Sequence, residues 1–196
     1  MSTLNLREIV VIAFLSAVFG VLYLVWIFVN QILTGITGPA GAGLMKGLWL
    51  MAPIICMVII QKPGVALAAE MIAAFTEIMV GSVNAGTVLL LGFTQGLGAE
   101  MMFAMFRYRI FTLPVLMLAG MAGTMANVIT LYFIYGYSQY APPVFAFMVI
   151  TALLSGAIFG GWASRSLAYT LVRTGVLHNF ALGKEYQKKK MEKSAS

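Results

Sequence analysis

Charge is scarce in this chain. Only 9% of its 196 residues are charged against 61% hydrophobic, so there is too little polar surface to coat a soluble fold, and the composition is that of an integral membrane protein. Cysteine and histidine are scarcer still. The single cysteine, Cys56, lies within an apolar run, which excludes a disulfide framework inside the chain and reads as a buried, inert thiol. The sole histidine, His178, sits in the C-terminal region, so no Cys/His metal cluster can be assembled and a soluble-style His-based active site has little to work with. No glycine-rich phosphate loop followed by Lys-Ser/Thr occurs, which excludes ATP hydrolysis in the P-loop manner. A cleavable signal peptide is not expected, because the first apolar run is long enough to span and lacks a small-residue cleavage site. No self-similar period is present, so an inverted-repeat transporter signature is missing too.

What is present is a sequence of six apolar runs. The first, residues 9–29, follows Arg7-Glu8 and is uncharged, and at about 1.5 Å per residue it covers a hydrocarbon core of about 30 Å. A glycine-rich, uncharged connection occupies 30–43. The second run, 45–60, stops at a polar turn, Gln61-Lys62-Pro63-Gly64. The third, 65–80, is short for a span. An outer turn over 82–86 leads to the fourth run, 87–106, which closes at Arg107-Tyr108-Arg109. Pro114 sits in the first turn of the fifth run, where its missing N–H does no harm, and that run ends in an aromatic belt of Tyr132, Phe133, Tyr135, Tyr137 and Tyr140. Pro142-Pro143 start the sixth.

Charge placement supplies orientation. Arg7, Lys62, Arg107, Arg109, Arg165, Arg173 and the C-terminal lysines fall on one side of a six-span layout, and the opposite turns hold no Lys or Arg except Lys46. The expectation is an all-α integral membrane fold: one compact bundle of six transmembrane helices over residues 1–180, a basic cytoplasmic tail over 181–196, both termini cytoplasmic, in the cell membrane. The net +6 is then a topology and anionic-lipid signal, with no nucleic-acid partner implied.

Within the third run stand the most costly residues to place. Glu70 and Glu77 are seven apart, two turns at about 3.6 residues per turn, so both point the same way, stacked roughly 10 Å along the axis. A carboxylate at membrane depth must face a protein interior, a partner or a cavity. Orientation puts Glu77 near the outer end, Glu70 near the middle, and Asn84 one further seven-residue step outward. Asn30 and Trp26 end the first helix on that side, Lys46 and Trp49 begin the second, Gln95 lies halfway down the fourth, and Asn127, Tyr132 and Tyr135 climb the fifth. Singly, the aromatics read as interface anchors and the amides as glue between helices. Together they are an inventory for a small, flat, cationic or amine-bearing ring: aromatics for its faces, amides for its edge, a carboxylate for its charge. Glu77 is the expected charge partner, with Glu70 as floor or brace. Glu100 belongs to a small-residue face with Gly92, Gly96 and Ala99, nearer the cytoplasmic end, and reads as a structural or proton-linked group bonded to Arg165 or to a backbone end. Lys46, the one cation on the outer side, likewise reads as a structural or proton-linked group.

Six spans in under 200 residues, both ends cytoplasmic, the glycine-rich outer loop and Ala13-x-x-x-Ala17 together resemble the substrate-binding S component of an energy-coupling factor transporter. Arg7-Glu8-Ile9-Val10, Glu70 through Glu77, and Gly92-Phe93-Thr94-Gln95-Gly96-Leu97-Gly98-Ala99-Glu100 make the whole chain similar to the YkoE family of S components, linked to thiamine and its hydroxymethylpyrimidine precursor. The resemblance implies a non-enzymatic vitamin-capturing subunit without a cofactor of its own. A transmembrane T component and two cytosolic ATPases would be its partners, with Ala13 and Ala17 as the flat patch on which the T component lies. Two rivals stay open: a stand-alone proton-coupled carrier with Glu70, Glu77 and Glu100 as relay, and an intramembrane hydrolase or transferase using the paired carboxylates.

Overall fold

A computed structural model of the protein describes residues 4–82 and 84–194; Val83, within the expected outer turn, and the two ends of the chain lie outside the described residues. The elements are helical throughout. Helix α1 (Leu6–Thr37) opens with a capping box in which Asn5 and Glu8 satisfy each other's backbone N–H, and Glu8 also pairs with Lys62 at 2.7 Å, tying this end to the turn between the next two helices. The helix runs past the expected boundary near residue 29 because nothing in 30–37 forbids it. It stops at Gly38, whose φ of 69° precedes Pro39, a pair that cannot continue an α-helix.

Two short 3-10 turns, Pro39–Gly43 and Lys46–Leu50, carry the chain down into α2 (Met51–Ile60). Every α2 residue from Ala52 to Ile60 is buried, so a helix apolar on all sides sits at the centre of the bundle. Gln61, left-handed at φ 57°, ends it. Helices α3 (Val65–Val80), α4 (Ala85–Met105) and α5 (Leu113–Ile134) follow. The last long helical stretch, Pro142–Arg173, is made of α6 (Pro142–Ser155), a π-helical segment over Gly156–Ala163, and α7 (Ser164–Arg173). The Ser164 hydroxyl donates to the Phe159 carbonyl at 3.0 Å, bracing that wider turn. The basic segment is itself a helix, α8 (Ala181–Ser194), whose Leu182 is buried in the central core while Lys189 pairs with Glu185 in solvent.

Among the described residues, five helical stretches are long and apolar enough to cross a membrane: Leu6–Thr37, Gly41–Ile60, Ala85–Met105, Leu113–Ile134 and Pro142–Arg173. The 16 residues of α3 reach roughly 24 Å, short of the hydrocarbon thickness, and the helix is packed between α1, α2 and α4. That packing is close because small residues stand at the crossings. A Cβ on Gly20 of α1 would lie 2.5 Å from the Ala73 carbonyl of α3, and one on Gly96 of α4 would lie 2.9 Å from the Glu70 Cβ. The glutamates of α3 are thereby pressed into protein on two sides.

Candidate functional site

Glu100 lies at the start of α3, below Glu70 and at the end of that helix opposite Glu77. Near the cytoplasmic-side end expected from its sequence position, its carboxylate accepts from the backbone N–H groups of Gly64, Ala66 and Leu67 at 2.6, 2.9 and 3.2 Å. Those are orphan donors at the start of α3, where a negative charge also meets the positive end of the helix dipole. Of the alternatives expected for Glu100, the structure selects the backbone end over Arg165. Burial and the Glu100 carboxylate beside it push the Tyr108 phenol up to about 12. Glu100→Gln is expected to lower stability by about 1–2 kcal/mol, seen as a fall in Tm in detergent with cavity binding unchanged. An unaltered Tm would mean that water serves these donors equally well.

At the other end of α3 a cavity of about 420 Å³ opens between α1, α3, α4 and α5. Glu70, Glu77, Asn84, Asn30, Gln95 and Asn127 all line it, with Lys46 and Trp49 from the first turn below the α1–α2 connection. Glu70 and Glu77 are 1% and 3% exposed, as their shared helical face requires. Behind the wall runs a chain of side-chain hydrogen bonds. The Lys46 ammonium donates to Asn127 Oδ1 at 3.0 Å, Asn127 Nδ2 donates to Gln95 Oε1 at 2.9 Å, and Gln95 Nε2 donates to Glu70 Oε1. An ammonium can only donate, so Lys46 fixes the orientation of Asn127 and, through it, of Gln95, whose Nε2 is then turned toward Glu70.

Glu70 has a further neighbour that the sequence reading did not single out. The Tyr23 hydroxyl, fully buried in mid-α1, accepts from the Ala52 N–H at 3.1 Å, donates to the Trp49 carbonyl at 2.8 Å, and reaches Glu70 Oε2 at 3.4 Å. One tyrosine therefore stitches α1, the start of α2 and α3 together at the cavity floor. Its signal in the sequence was the one tyrosine in the interior of an uncharged span. Glu77 faces the Trp49 indole N–H and the Ser82 side chain at the mouth. Among the described residues no cationic side chain lies within ion-pairing distance of it.

Tyr132 does not join this lining. Its ring packs on Phe133 and Phe145, at 5.2 Å from each, and the member of that aromatic belt that reaches the cavity is Tyr137. Tyr135 lies outside as well, closing the outer ends of α4 and α5 through a 2.6 Å bond to Thr87. Trp26 packs against the core, and its Nε1 has no hydrogen-bond partner. Asn30 Oδ1, by contrast, is a buried, unpaired acceptor on a residue that lines the cavity. Gln31, Thr87 and Ser82 complete the polar wall and were not foreseen. Ala13 and Ala17 sit far from the cavity, partly exposed on the outer face of α1 beside exposed Val10, Phe14 and Val18. The site is thus a pocket with two buried carboxylates, aromatic side chains and amide edges in its lining.

Residues 7–126 match a family model described as the permease component of an ABC-type cobalt transport system. The chain is 38% identical over 194 residues to the putative HMP/thiamine permease protein YkoE of Bacillus subtilis (strain 168), covering 99% of this chain and 98% of that one. It also superposes on a crystal structure of an S-component of an ECF transporter with a TM-score of 0.96, at 38% identity and 98% coverage of both chains.

Proposed function

This chain belongs to the YkoE family of S components of energy-coupling factor transporters, and from that premise we propose that it captures thiamine or its hydroxymethylpyrimidine precursor from outside the cell. S components are membrane transport subunits, so the acidic pocket is read as a binding site and the enzymatic alternative loses its ground. The observation that carries the ligand reading is Glu77: a buried carboxylate at the cavity mouth with no cationic side chain within ion-pairing distance among the described residues. Thiamine brings a cationic ring and an aminopyrimidine. Its charge would meet Glu77, the amino group would find acceptors such as Asn30 Oδ1, and Trp49 and Tyr137 would flank the rings.

The reading extends to topology and partners. Counting the short α3 as a span gives six transmembrane helices, and the Lys/Arg asymmetry places both termini in the cytoplasm of a plasma-membrane protein. Energy would come from a T component and two cytosolic ATPases, with Ala13 and Ala17 on the outer face of α1 as the T component's resting surface. The decisive experiment compares thiamine and hydroxymethylpyrimidine side by side for binding to the purified chain, then measures uptake in cells lacking the partner ATPases. Binding of either compound together with uptake that requires the ATPases supports the reading. Uptake that persists without the ATPases and collapses with an uncoupler would replace it with the proton-coupled carrier.

A further inference from the structure

The end of the bundle opposite the cavity holds two adjoining hollows that share Arg165 and Tyr169 as a common wall. One, of about 270 Å³, is bounded by Trp162, Ser166, Thr170 and Arg173. The other, of about 320 Å³, takes in Arg109, Glu185 and Lys189. The Arg165 guanidinium lies 5.3 Å from the centre of the Tyr169 ring, a cation–π contact that holds it against the wall. Lys189 is matched by Glu185 at 2.6 Å. Arg109, Arg165 and Arg173 are not: the ion pairs among the described residues are Glu8–Lys62 and Glu185–Lys189. Arg165 and Arg173 bound the first hollow, which no carboxylate lines, while Arg109 stands in the second beside Glu185. Such a cluster repels itself unless an anion sits among the charges.

A second feature says which anion. From the rim of the Arg165/Arg173 hollow an apolar column leads away along the same helical stretch: Trp162, Ile158, Leu154 and Ile150, each four residues from the next and 57, 48, 57 and 56% exposed. Twelve residues of helix rise roughly 18 Å, close to the depth of one leaflet of a hydrocarbon core about 30 Å thick. Tryptophan beside arginine at a helix end is the chemistry of the membrane interface. A free phosphate would use the guanidiniums and leave the column idle; a molecule with an anionic head and a fatty tail uses both.

We propose that the Arg165/Arg173 hollow is a binding site for the phosphodiester headgroup of an anionic phospholipid, with one acyl chain lying along Ile158, Leu154 and Ile150. Arg109 adds charge from the neighbouring hollow. The site is independent of whatever occupies the acidic cavity at the opposite end. Its role would be to hold this face of the helical stretch in the leaflet that carries negative lipids.

The test uses the full chain reconstituted in vesicles of equal phosphatidylglycerol and phosphatidylcholine, released into detergent, and weighed with its retained lipids by native mass spectrometry. Retention of phosphatidylglycerol over phosphatidylcholine is expected. Arg165→Gln with Arg173→Gln is expected to cut that preference about thirtyfold, while Tm and cavity binding hold. Arg173→Gln alone, at an exposed position, keeps the test decisive if the double variant fails to fold, with about a fivefold loss expected. Equal retention of the two lipids by the unaltered chain would overturn the proposal, as would an unaltered preference in the variants. Displacement of the lipid by excess inorganic phosphate would assign the hollow to free phosphate instead. A double variant that keeps its lipid but no longer co-purifies with partner subunits would make this face a protein interface, and the lipid site would fall.

Discussion

Glu77→Gln is expected to weaken thiamine binding by about thirty- to a hundredfold, equivalent to roughly 2–3 kcal/mol, measured by isothermal titration calorimetry on the purified chain in detergent. The substitution keeps the shape of the side chain and removes its charge. It spares Glu70, whose oxygens are already engaged by Gln95 and Tyr23 and which ends the chain of hydrogen bonds begun by Lys46. Glu70 is thus supplied with donors from within the fold. Glu77, 3% exposed and facing the Trp49 indole and Ser82, has no cationic side chain within ion-pairing distance among the described residues. Glu77→Asp is expected to recover part of the loss, since it restores the charge at a shorter reach. An affinity unchanged in Glu77→Gln would sink its role as charge partner and move attention to Glu70.

Gly120→Val is expected to cost about 3 kcal/mol or more and to leave little folded protein in the membrane fraction. A Cβ at Gly120 of α5 would lie 2.0 Å from the carbonyl oxygen of Gly156 and 2.8 Å from its carbon, and one on Gly156 would in turn lie 2.5 Å from the Gly120 carbonyl. Both obstacles are backbone, so no rotamer change relieves them. The wide π-helical turn over Gly156–Ala163 meets α5 at this crossing, and separating them would loosen α5, which carries Asn127, from the rest of the cavity wall. Gly35→Ala is the control. It lies in α1 with nothing within 4 Å of a built Cβ, and it is expected to leave Tm unchanged or raise it slightly. Equal Tm for Gly120→Val and the unaltered chain, read by fluorescence-detected thermal unfolding, would refute the close crossing.

Much of the site was legible before any coordinates because it rests on helical periodicity. Two glutamates two turns apart on one helix must share a face, and both prove buried on one wall of one cavity. Gln95, halfway down the fourth run, and Asn127, on the fifth, were expected to converge on the outer half, and they bond to each other. Tyr132 shows where counting fails. Five aromatics crowd the outer end of α5, and which of them turns inward is settled by Gly136, whose left-handed backbone at φ 72° swings Tyr137 back over the opening. Residue spacing carries no record of that reversal. The end of α1 escaped for a related reason: residues 30–37 look like a connection by composition, yet they keep helical bonds up to the Gly38-Pro39 break.

The amino-acid sequence by itself determined that this is an apolar helical membrane protein, which of its ends is basic, and that one short helix bears two carboxylates on one face, because composition and periodicity act locally. Only the tertiary structure decided what each carboxylate does. Glu100 became the cap of α3, Glu70 the acceptor at the end of a chain reaching from Lys46, and Glu77 the carboxylate at the cavity mouth with no cationic side chain beside it among the described residues. Those roles are fixed by partners 33 to 36, 25 and 47 residues away for the first two, and by the lack of a cationic partner for the third, and distances of that kind exist only once the helices have packed.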